Sequence, residues 1–107
     1  MGKAHKTSLA EQLLNEALEV LRGWGGPEGL RQVGFTTRWV EDPYLAWAYP
    51  QARRIILGAL EEAARSLLEG ETARRFVEVY HAAVDAGLPV PKRASARYRQ
   101  CVGRGGR

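Results

Sequence analysis

Two histidines and one cysteine are the side chains in these 107 residues best suited to acid–base, nucleophilic or metal chemistry. His81 stands three residues after Glu78 and four before Asp85, so the three share one face of a helix. An imidazole with two carboxylates suits a metal ion. A solvated helix face produces the same triplet, however, and no second cluster completes a coordination shell. His5 precedes the first regular element. Cys101 lies among arginines, and positive neighbours favour thiolate chemistry. No histidine is near in sequence to serve as its base. The glycines between Gly23 and Gly29 match neither the phosphate-loop nor the dinucleotide-binding pattern, and no strand precedes them. An enzyme is therefore not expected, and no cofactor or metal site is predicted.

Arginines interleaved with aromatic residues point elsewhere. Arg38-Trp39, Tyr44, Trp47, Tyr49 and Arg53-Arg54 form one such stretch, and Arg97-Tyr98-Arg99 a second. Aromatic rings stack on unpaired bases while guanidinium groups hold phosphates. Trp39, Trp47 and Tyr49 have a competing use as core anchors, which a small domain needs, and that use is the expectation for these three rings. The arginines have none. Arg53 and Arg54 are adjacent and cannot both face a core, and Arg31 and Arg38 lie on short elements near them. The candidate nucleic-acid-binding residues are Arg31, Arg38, Arg53, Arg54, Lys92, Arg93, Arg97 and Arg99.

Charge distribution supports the choice. Residues 1–91 carry ten basic and twelve acidic side chains, a net charge of −2. Residues 92–107 carry six basic side chains and no acidic one, a net charge of +6. A near-neutral body with a cationic arm suits contact with a phosphate backbone, where basic side chains displace condensed counterions. A solvated tail that only aids solubility is the alternative. The length suits one domain. No 18-residue apolar run exists, so no membrane-spanning helix or membrane partner is predicted. The start of the chain does not read as a secretory signal, and a lone cysteine cannot close an intrachain disulfide. The expected location is cytoplasmic.

The elements that would carry these residues read as helices. Ser8 and Glu11 form a capping box ahead of a stripe of Leu9, Leu13, Leu14, Ala17, Leu18 and Leu21, ending near Arg22. Residues 23–29 read as loop with Trp24 as a lid, and Pro27 opens a short helix that Gly34 ends. Residues 35–40 have strand-like composition but no partner strand, so they read as helix or extended connector. Asp42-Pro43 starts another helix, which Pro50 is expected to break or kink. A long helix over 51–69 follows, burying Ala52, Ile55, Ile56, Ala59, Leu60, Ala63, Leu67 and Leu68 before Gly70 ends it. The last core helix spans 72–86, with Phe76, Val77, Tyr80, Ala83 and Val84 inward and Gly87 at its end. Residues 94–102 read as a short terminal helix and 103–107 as disordered. The expected fold is all-α: a single-domain bundle of about four to five helices over 8–91, with an N-terminal tail at 1–7 and a basic C-terminal arm at 92–107.

The order of short motifs resembles a known family. Gly29-Leu30-Arg31-Gln32-Val33 is followed by Pro43-Tyr44-Leu45-Ala46-Trp47-Ala48-Tyr49, then Ala52-Arg53, and finally Phe76-Val77-Glu78-Val79-Tyr80-His81-Ala82-Ala83. Over residues 9–86 this is similar to the small helical subunit of type III CRISPR effector complexes. The Leu-Arg and Leu-Ala segments stand closer together here, and the basic arm has no counterpart. The resemblance implies a non-catalytic subunit whose copies stack along a ribonucleoprotein filament and touch the guide–target duplex or the target strand through basic faces. It marks Arg31 and Arg53 as the motif arginines, and adjacency adds Arg54.

Three functions follow as expectations. The first is a non-enzymatic subunit binding RNA or single-stranded nucleic acid, with other subunits of a larger complex as partners and self-association among its options. The second is a helix-turn-helix regulator of duplex DNA, with residues 36–40 supplying the recognition helix. The third is a protein–protein adaptor presenting Trp39, Trp47 and Tyr49.

Overall fold

Alternating leucine and alanine on successive helices sets the architecture. The computed structural model describes residues 8–36 and 38–105, excluding the side chains of Arg38 and Arg104, so the tail at 1–7 lies outside the described residues. Six helices follow in order: α1 (Leu9–Gly23), α2 (Gly26–Phe35), α3 (Arg38–Glu41), α4 (Pro43–Ala64), α5 (Gly70–Asp85) and α6 (Lys92–Gly105). The fold is all-α.

The most extensive packing joins α1 to α4. Ala10 and Ala17 on α1 and Ala52, Ala59 and Ala63 on α4 are all buried, and small side chains allow helix axes a close approach. Leu14, Leu30, Ile56, Leu60, Phe76 and Val79 are the large side chains wholly removed from water. They come from α1, α2, α4 and α5, so four helices share one core. At about 1.5–3 kcal/mol per buried large side chain, this cluster is a main source of cohesion. A half-buried ion pair, Arg75 Nη1 to Glu11 Oε2 at 2.9 Å, ties α5 to α1.

Local signals place most helix ends. Ser8 Oγ accepts from the Glu11 amide at 3.1 Å, and the Glu11 carboxylate is taken up by Arg75. Asp42 Oδ1 accepts from the Tyr44 and Leu45 amides, with Pro43 as the first helical residue of α4. After α5, the Gly87 amide donates to Val84 and the Leu88 amide to Ala83, while Gly87 adopts φ +78° and Leu88 is buried. This is a Schellman termination, which favours glycine at its left-handed position.

Several expectations are corrected. Pro50 does not break α4, which runs through it. Ala48, Tyr49 and Ala52 are buried on both sides of the ring, so core packing holds the two segments in line despite the lost hydrogen bond. The helix ends at Ala64 rather than at residue 69, and Leu67 stands 77% exposed in the connection that follows. Gly70 opens α5 instead of closing α4. Val84 faces water, and Val79 takes the inward position. The supposed loop at 23–29 already contains the start of α2, which continues through Gly34 to Phe35. Residues 38–41 form one helical turn.

The basic arm is helical from Lys92 to Gly105, beyond the expected end at 102 and into the stretch expected to be disordered. It packs on α4 and α5 with Ala94 fully buried. The ring of Tyr98 stacks on Tyr80 with centroids 4.2 Å apart.

Candidate nucleic-acid interface

On α4, the Asp42 cap sets the helical register that presents the candidate residues. Trp47, Pro50, Arg54, Gly58 and Glu61 fall on one outward stripe, because offsets of three, four and seven residues repeat a face. Trp47 is 63% exposed and Tyr44, one turn earlier, 67% exposed. Their ring centroids are 6.4 Å apart at an interplanar angle of 45°. Arg54 is exposed, about 10 Å further along the axis from Trp47. Arg53 turns beside this stripe and sets its guanidinium carbon 5.7 Å from the centroid of the buried Tyr49 ring. Arg53, Arg54, Pro50, Leu57, Gly58 and Glu61 line a shallow groove. Glu61 is thus an acidic boundary at its far end.

The three rings expected as core anchors divide. Tyr49 is buried, Trp39 is half-buried with its ring 5.0 Å from Tyr49, and Trp47 is in water. Trp24 closes over the same core, 6.1 Å from Tyr49 in an edge-on contact.

On α6, Ala94 and Tyr98 face the body, which turns Lys92 and Arg99 outward on the opposite stripe with Arg93 at its flank. Arg97, named with them from the sequence, turns toward the body instead. It is half-buried: Nη2 donates to the Ser66 carbonyl at 2.8 Å and Nη1 to Gln100 Oε1 at 3.1 Å. Its Nε is buried with no hydrogen-bond partner. The cause is geometric, since Arg97 sits on the side of α6 that faces the end of α4, where main-chain carbonyls need donors.

Arg31 is exposed on α2, its guanidinium carbon 5.1 Å from the centroid of the Phe35 ring. Arg38 opens α3, and its side chain lies outside the described residues. The candidates therefore form separate groups. Arg97 meets α4 just beyond its end at Ser66, about 18 Å along the axis from Arg54. A single phosphate cannot touch both.

Electrostatic pairing divides the arginines sharply. Among the described residues, the ion pairs join Arg22 to Glu19, Arg65 to Glu62, Arg74 to Glu71, and Arg75 to Glu11 and Glu71. None involves Arg31, Arg53, Arg54, Lys92, Arg93, Arg97 or Arg99.

Compared with protein-family models, with curated proteins and with solved structures, the chain matches none.

Of the other chemistry-bearing residues, His5 lies outside the described residues, and His81 and Cys101 sit where α5 meets α6. His81 Nε2 and the Tyr98 hydroxyl are hydrogen-bonded at 2.7 Å, tying α5 to α6. Cys101 is half-buried and lines a shallow pocket with Ala73, Arg74, Val77 and Glu78. Among the described residues, no three His, Cys, Asp or Glu side chains are grouped to hold a metal ion. No described helix is long and apolar enough to cross a membrane.

Proposed function

We propose that this chain is a non-catalytic subunit of a ribonucleoprotein assembly, holding the phosphate backbone of RNA or another single strand. Arg53 and Arg54 on α4 and Lys92, Arg93 and Arg99 on α6 neutralise phosphates with little reading of bases. The observation that carries this reading is the division of cations. Among the described residues, Glu11, Glu19, Glu62 and Glu71 pair with other arginines, and these five have no acidic partner. The absence of any acidic residue from 92 to 107 keeps the α6 surface cationic. The motif order shared with small subunits of type III CRISPR effectors agrees with such a role, and it supplies the partners: guide or target RNA, other subunits and further copies of this chain.

Gel-shift titration of a labelled RNA tests the reading. Paired replacement of Arg53 and Arg54 by alanine, or triple replacement of Lys92, Arg93 and Arg99, weakens binding about equally for unrelated sequences and leaves helical circular dichroism intact. Unchanged affinity in both variants contradicts it.

The duplex-reading alternative loses its recognition helix. Arg38–Glu41 is a single turn, too short to lie along a major groove. A second reading, a protein adaptor, draws on the exposure of Tyr44 and Trp47. It predicts no affinity for polynucleotides.

A further inference from the structure

The outward face of α4 combines two features that separately have ordinary explanations. Tyr44 and Trp47 spend large apolar rings on water while Tyr49, two residues on, is buried among the same helices. From Tyr44 to Gly58 the chain contains two charged side chains, Arg53 and Arg54, and no acid. Both arginines lack a carboxylate partner among the described residues. The face therefore offers exposed rings at one end and unneutralised positive charge about 10 Å away.

We infer that Trp47, with Tyr44 beside it, is a stacking platform for an unpaired base of a single strand whose following phosphates lie at Arg54 and Arg53. This rests on the backbone-binding reading above and deepens it by naming the strand's form. Charge complementarity selects the occupant. An apolar protein surface would leave two guanidinium groups to be desolvated without a counter-ion, whereas a polynucleotide brings an anion for each. The rings in turn need a flat apolar partner, which a base in a duplex, already stacked on both faces, does not offer. The 45° tilt between the two rings means that one base lies flat on one ring at a time, with Trp47, nearer the arginines, as the principal contact.

Fluorescence anisotropy with three labelled probes tests this: a 15-nucleotide oligouridylate, an abasic strand of equal length, and a 15-base-pair RNA duplex. Wild-type protein binds oligouridylate roughly 5- to 150-fold more tightly than the abasic strand, the range expected for one stacked base. Trp47→Ala removes that preference and leaves abasic and duplex binding unchanged, while Trp47→Phe retains most of it. If wild type binds oligouridylate and abasic strand equally, or Trp47→Ala binds oligouridylate as wild type does, the platform is wrong and backbone binding stands. If wild type binds no probe, the rings belong to a protein partner and both readings fall.

Discussion

The guanidinium of Arg97 donates to the main-chain carbonyl of Ser66 across 2.8 Å, fastening α6 to the end of α4. This contact makes the cationic C-terminal segment part of the bundle. Lys92, Arg93 and Arg99 are thereby presented from a fixed surface, and a fixed cation loses less conformational freedom on binding than one on a mobile tail.

Breaking this contact tests the attachment of α6. Arg97→Ala removes a charge-assisted hydrogen bond and leaves the Ser66 carbonyl to water, at a cost of about 1.5–3 kcal/mol. Urea unfolding should show that loss, with Arg99→Ala within about 0.5 kcal/mol of wild type. Equal stability of the two variants would mean that α6 is held by its other contacts, those of Ala94, Ser95, Tyr98 and Cys101.

Two glycines inside helices should respond in opposite ways to alanine. A Cβ at Gly29 collides with the Trp24 carbonyl, which is backbone and cannot step aside, so α2 must shift away from the end of α1. Gly29→Ala should lower stability by about 1–3 kcal/mol through forced overpacking. At Gly58 a Cβ meets nothing within 4 Å, and Gly58→Ala should stabilise by up to about 1 kcal/mol through helix propensity. Thermal melts of both variants check the signs.

Pro50 makes a third case. It forgoes one helical hydrogen bond inside α4 and is half-buried rather than a core residue. Pro50→Ala should raise the midpoint of urea unfolding, at about 3 kcal/mol or less of added stability. A lowered midpoint would show that packing of the ring outweighs the missing bond.

These positions also show what could be read in advance. The stripe of α1, its Ser8 cap and the Asp42-Pro43 start of α4 were legible because their causes are within a few residues. Arg54 was legible as an exposed cation because two neighbours on a helix cannot share an inward direction, whereas the half-buried place of Arg53 over the Tyr49 ring left no sequence signature. Pro50 was misread because the local rule yields to core packing on both of its sides. Gly29 gave no sign of its role, since the atom that forbids a side chain there belongs to the turn after α1. Arg97 looked like another member of the basic arm because a main-chain acceptor such as Ser66 leaves no sequence signature. Trp47 was misread as a core anchor, although it stands seven residues before Arg54 and so shares the outward stripe that arginine occupies.

The central claim is that open guanidinium and ammonium groups meet a polyanion, and the salt dependence of binding tests it most directly. Contact with about four phosphates of a single strand predicts a slope near −2.8 in log affinity against log salt, roughly 50-fold weaker binding between 50 and 200 mM. Affinity for RNA that stays constant over that range would contradict the account.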